Sequence, residues 1–220
     1  MDTPAASPDD APARTDFDPD ETGARGFYKL LTSVVVPRPI AWVSSRSAQG
    51  VDNLAPHSFF TVASVTPPVV AFTSVGRKDS LRNIEATGEF VVCLTPEALF
   101  EQVNATGTDF DAGTSEFDAV GLDREPSLRV TPPRVAASPV ALECVLHQVL
   151  EVGDSFLVLG RVVHAAVRSA ALADDGLGDL AALAPLSRLG RDEWGTTPPV
   201  REITRIPARE WPGHYDPTRD

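Results

Sequence analysis

At 220 residues and 23.5 kDa the chain is sized for one large domain, and 42 % apolar with 23 % charged residues excludes disorder throughout. A formal charge of −12 repels phosphodiester backbones and anionic lipid, so neither nucleic acid nor a membrane surface is expected as a partner. Cys93 and Cys144 are too few for a disulfide framework, and the chain shows neither a membrane-length apolar run nor a secretory leader, which predicts a cytoplasmic protein.

Residues 1–22 hold seven acids, one base and four prolines, half of the net charge, and read as a disordered acidic tail. The domain is expected over 23–205, with a Pro/Gly-rich C-terminal arm over 206–220. Phe27 to Thr32 predicts a short helix. Ile40 to Ser45 and the run from Val51, separated by Gln49-Gly50, predict a hairpin. Strands follow at Val69–Ser74 and Glu89–Thr95, with a helix between them from Ser80 to Thr87, stopped by Gly88. Thr95 and Pro96 predict a capped helix that runs through Val103. Val140–Val152 and Phe156–Val167 are two long strands around a turn at Gly153-Asp154-Ser155. In the first, Leu142, Cys144, Leu146 and Leu150 lie on one face, and Glu143, His147 and Glu151 on the other, polar face. Many short strands, twenty prolines and few helices predict a mainly β fold, a single antiparallel barrel with short helical inserts.

Two segments carry candidate chemistry. Ser44 and Ser45 end one strand, and its partner carries Asn53-Leu54-Ala55-Pro56-His57-Ser58. Polar and small residues in a core strand suit a backbone lying against a flat polar ring. Thr73-Ser74-Val75-Gly76-Arg77-Lys78-Asp79-Ser80 leads into a helix. It reads either as an exposed loop or as an anion site, in which free N–H groups and two bases meet a phosphate. His57 is either a ring contact or a structural strand residue, while His147 and His164 read as non-functional. No Cys/His spacing for zinc and no nucleophile elbow is present.

Tyr28-Lys29-Leu30-Leu31, Pro37-Arg38-Pro39-Ile40-Ala41, Asn53 to Phe60, Lys78 to Ile84 and Thr87 to Val92 resemble the flavin reductase-like, FMN-binding split-barrel family. Ser115-Glu116-Phe117, Gly121-Leu122, Leu142-Glu143-Cys144 and Arg188-Leu189-Gly190 add to the resemblance. It implies a Greek-key split barrel, a homodimer with FMN near the subunit interface, and oxidoreductase chemistry with NAD(P)H as co-substrate. It also implies a free flavin or an oxygenase as acceptor. By the same resemblance Ser44, Ser45 and Asn53, Leu54, Ala55, Pro56, His57 and Ser58 border the ring and ribityl chain. Ser74, Arg77, Lys78, Asp79 and Ser80 hold the phosphate, with Arg38 as an additional contact. No catalytic residue is assigned, because the flavin carries the chemistry. Two departures stand out: Ser155 replaces a histidine common in reductase members, and Trp194 replaces a tyrosine, either to cover a ring or to plug a dimer interface. The alternative is an FMN electron-transfer protein served by a protein reductant, without a nicotinamide site.

Overall fold

The computed structural model describes residues 13–111, 113–211 and 213. The first twelve residues of the acidic tail, and His214 with the end of the C-terminal arm, lie outside them. Seven strands build the main sheet: β1 (Ala41–Arg46), β2 (Asp52–His57), β3 (Phe60–Ser64), β4 (Val69–Val75), β5 (Glu89–Cys93), β6 (Val140–Val152) and β7 (Ser155–Val167). Their order is β2-β1-β5-β6-β7-β4-β3, antiparallel at every step. The two edge strands, β2 and β3, are consecutive in sequence and joined only by Ser58 and Phe59. Edges of a flat seven-stranded sheet would lie about 29 Å apart, whereas a two-residue link spans at most about 11 Å. The sheet must therefore curl until its edges meet without pairing, which is a split barrel.

Helices α1 (Ala24–Val34), α2 (Asp79–Thr87), α3 (Phe100–Ala105) and α4 (Glu116–Ala119) are the inserts. A further exposed helical turn, Pro19–Thr22, falls in the acidic segment, where the Asp18 carboxylate caps it. The short strands Arg38–Pro39, Ser187–Arg188 and Trp194–Gly195 form a separate three-stranded sheet.

Two core clusters lie on opposite faces of β1. Trp42 packs with Leu54, Val91, Val103, Phe117 and Leu186, while Val43 packs with Phe72, Leu81, Ile84, Phe90 and Val158. Strands covered on both faces read as continuous apolar runs, which is why Ile40 to Val43 and Phe90 to Cys93 do not alternate.

Two expectations need correction. The helix from Thr95 is instead a 3-10 turn at Glu97–Leu99 followed by α3, with no side-chain cap. The Thr95 segment is spent on a bridge, Leu186 N–H to Thr95 O and Glu97 N–H to Ala184 O, both 2.8 Å. Glu143 is fully buried rather than on a solvated face. It accepts the N–H groups of Leu128 and Arg129 and pairs with Arg134, whose Nη2 lies 2.5 Å from Oε1. Apart from these, Trp194 is partly exposed, packing against the core edge-on to Phe100 at 5.2 Å and beneath the Arg188 guanidinium.

Candidate functional site

The turn from β4 into α2 is shaped by Gly76, whose φ of 76° suits a residue without a Cβ. Its N–H donates to Asp154 O in the β6–β7 turn, and its carbonyl accepts the Ser74 hydroxyl. Lys78, extended, is the N-cap of α2 and makes no side-chain cap bond. The backbone N–H groups of Asp79, Ser80 and Leu81 consequently find no acceptor among the described residues. The positive end of the helix dipole lies at this end, where Lys78, Asp79 and Ser80 line a cleft of about 1030 Å³. Three cations border the same end, each with a carboxylate partner. Arg77 pairs with Glu85 at 2.5 Å, Arg82 with Asp79, and Lys78 with Asp109 at 3.6 Å. The last is the loosest and most exposed of the three.

A ladder of polar side chains locks α2 to the hairpin. Asn53 Nδ2 donates to Ser80 Oγ at 3.1 Å, and His57 Nε2 lies 3.4 Å from the same oxygen. Asn83 Nδ2 donates to Ser45 Oγ at 3.2 Å. These bonds explain the polar residues in strands that are otherwise apolar: they seat the helix whose N-terminus faces the cleft. The His57 ring also packs against Phe72, with centroids 4.6 Å apart and the planes tilted by 47°. Burial pushes its pKa down to about 4, the Thr73 backbone opposes that shift, and Lys78 adds to it. His57 is thus neutral at pH 7.

The second wall comes from the residues after α3. Trp42 Nε1 donates to Thr106 Oγ1 at 2.8 Å, which anchors the start of a loop that lines the cleft with Gly107, Thr108, Asp109 and Phe110. Its far end is Glu116, the first residue of α4. Leu54 N–H, on the outer side of edge strand β2, donates to Glu116 Oε2 at 2.8 Å. Two residues on, the same outward register holds Pro56, which has no N–H to satisfy. An ion network fixes this corner: Asp52 takes both Arg46 at 2.7 Å and Arg124 at 2.9 Å, and Arg124 also reaches Asp118 and lies over the Phe117 ring. Tyr28 of α1 and Phe59, with centroids 6.4 Å apart, supply an aromatic wall.

Of the residues expected at the site, Asn53, Ala55, Pro56, His57, Ser58, Arg77, Lys78, Asp79 and Ser80 line this cleft. Ser44, Ser45, Leu54, Ser74 and Arg38 are not brought to it. Ser45 and Ser74 spend their hydroxyls on Asn83 and Gly76, Leu54 packs in the core, and Ser44 is wholly buried with its hydroxyl unpaired. Arg38 donates to the carbonyls of Thr32, Val35 and Leu189, closing the C-terminal end of α1. Sequence reasoning assigned no role to Tyr28, the loop from Thr106 or Glu116. Tyr28 and Glu116 stood within the resembling segments, and the loop's glycines and threonines were the available signal for the rest.

The chain matches the model of the flavin reductase-like domain over residues 33–182, and it belongs to that family. An uncharacterized protein of Deinococcus radiodurans is 39 % identical over 211 residues, covering 90 % of this chain and 93 % of its own. Among solved structures, nitrilotriacetate monooxygenase component B from Bacillus cereus superposes with a TM-score of 0.83 at 30 % identity. The match covers 88 % of this chain and all of that one. The 2-nitrobenzoate 2-nitroreductase of Pseudomonas fluorescens gives 0.81 at 30 %, covering 88 % and 97 %. The chain is therefore a flavin reductase-like split-barrel protein, and these likenesses support flavin-linked oxidoreductase function.

Proposed function

We propose that the cleft binds FMN and that the protein is a cytoplasmic NAD(P)H-dependent flavin oxidoreductase, dimeric, passing electrons to a free flavin or an oxygenase. The start of α2 carries this reading. Three N–H groups without an acceptor among the described residues, at a helix dipole end with Lys78 beside them, fit a phosphate monoester, and this end borders a cleft large enough for a flat ring as well. Lys78 and the three N–H groups would neutralise the phosphate. Asn53, Ala55, His57 and Ser58 would present donors and acceptors to the ring edge, with Tyr28 and Phe59 shielding the ring from water. When bound, FMN supplies the hydride-accepting centre. The likenesses to a monooxygenase component and a nitroreductase support an acceptor outside the chain. No described helix is long and apolar enough to cross a membrane. The dimer is supported by α1, which buries none of its residues although it carries Phe27, Tyr28, Leu30, Leu31 and Val34.

One observation favours a second reading, an electron carrier without a nicotinamide site. Where reductase members have a histidine, Ser155 donates instead to Asp154 Oδ1 within its own turn at 2.8 Å. Anaerobic mixing separates the two. NADH or NADPH bleaching the bound flavin within the mixing time supports the reductase, and bleaching only by dithionite or a redox protein supports the carrier. A protein that takes up no FMN rejects both.

A further inference from the structure

Glu116 is more than nine-tenths buried and lines the cleft, yet only one of its carboxylate oxygens is used by another residue. Oε2 accepts the Leu54 N–H and the residue's own backbone N–H also bonds the carboxylate, while Oε1 takes no hydrogen bond from any other described residue. A buried carboxylate oxygen facing a cavity is costly unless something there donates to it. The corner is also rigid: the salt bridges of Arg124 to Asp52 and Asp118, and its contact with Phe117, fix α4 against the β1–β2 hairpin. Such a carboxylate is aimed, not merely tolerated.

What donates to it follows from charge. Glu116 lies close enough to Asp79, at the start of α2, for that carboxylate's repulsion to act with burial in raising its pKa. A phosphate held at the start of α2 would be repelled by Glu116 in the same way, so Glu116 is no phosphate ligand. The ligand must bring hydrogen-bond donors next to its phosphate, and in a flavin mononucleotide those are the hydroxyls of the polyol chain. Resting on the FMN reading, we infer that Glu116 is a specificity-determining residue whose free oxygen accepts hydrogen bonds from the ligand's ribityl hydroxyls. The site therefore selects flavins by their sugar-alcohol chain as well as by ring and phosphate.

The test compares FMN, riboflavin and a flavin with an N10-pentyl chain, which keeps the bulk and removes every hydroxyl. Binding is followed by flavin fluorescence in the wild type and in Glu116→Gln. Glutamine retains an acceptor for Leu54 N–H, and thermal melting without ligand checks that the fold survives. Losing one charge-assisted bond weakens riboflavin about 10-fold, and FMN by less, because the neutral glutamine also relieves the repulsion of the phosphate. The pentyl flavin, already weaker than riboflavin in the wild type, changes less than twofold, so the two losses do not add. Equal weakening of all three ligands would mean that Glu116 shapes the cleft or meets the ring. Unchanged FMN and riboflavin binding would reduce it to an edge-strand cap. Either result overturns the inference while leaving the FMN reading intact. A wild type that binds no flavin overturns both.

Discussion

At the scale of single residues, the proposed phosphate end separates two roles that the sequence merges. Lys78 and Ser80 stand two apart in one motif, but Lys78 is exposed beside Asp109 while Ser80 is buried between Asn53 and His57. Lys78→Ala is expected to weaken FMN by about 10- to 100-fold and to leave riboflavin nearly untouched, since riboflavin lacks the phosphate. Ser80→Ala breaks the ladder that seats α2 and weakens both ligands alike. Titration of each variant with the two flavins checks the contrast. In the proposed site Asp109, 3.6 Å from Lys78, would compete with the phosphate for that ammonium. Asp109→Asn should tighten FMN by up to about fivefold at low salt, with riboflavin unchanged. His57 gives a pH signature. Its folded pKa, about 4, lies below the ordinary 6.5, so between those values the unfolded chain takes up a proton that the folded chain refuses. This contribution to stability is complete above pH 6.5 and falls away toward pH 4, by about 3 kcal/mol in all. Urea melts across that range should show a steeper decline for the wild type than for His57→Gln.

At the scale of elements, legibility follows the range of the interactions. The long strands were readable to within a residue because their period depends only on near neighbours: Val140–Val152 is found as expected, and Phe156–Val167 begins one residue earlier. Glu143 was not readable. Its partner Arg134 arrives from the two-residue strand Arg134–Val135, outside the main sheet, and no local pattern shows that so short a strand will cover that face. Burial raises the Glu143 pKa, but the Leu128 and Arg129 N–H groups and Arg134 outweigh it and hold the carboxyl below the ordinary range. The site divides in the same way. Asn53, His57 and Ser80 were legible as odd polar residues, whereas hydroxyls at Ser45 and Ser74 looked equally available and proved to be spent within the chain. Gly160 shows what packing adds to pattern. A Cβ there would come within 2.2 Å of Phe90 Cζ, and Phe90 is wholly enclosed by the core it shares with Phe72 and Val158. Gly160→Ala should cost about 1–3 kcal/mol, read as a lower urea midpoint.

At the scale of the whole molecule, α1 is the part on which the proposed dimer rests. Arg38 fixes its C-terminal end to the barrel, yet Leu31 is 48 % exposed and Val34 62 % on one stripe, with Tyr28 a turn earlier reaching the cleft. Helices of globular proteins bury such a stripe, and an isologous dimer is the commonest way to cover one. If the stripe meets its partner's, Leu31→Asp with Val34→Asp puts two charges into an apolar contact and should yield a monomer by sedimentation velocity. Because Tyr28 shares that helix with the stripe, flavin affinity should fall in step with dissociation, although no residue of the phosphate end has changed. The acidic segment is expected to contribute nothing to either property, for its helical turn Pro19–Thr22 buries no residue. A variant starting at Gly23 should therefore sediment as a dimer with its flavin bound. A stable monomer from that truncation would assign the acidic segment a place in the interface. A dimer that survives both aspartates would move the interface to another face of the barrel and leave the exposed stripe of α1 without its explanation.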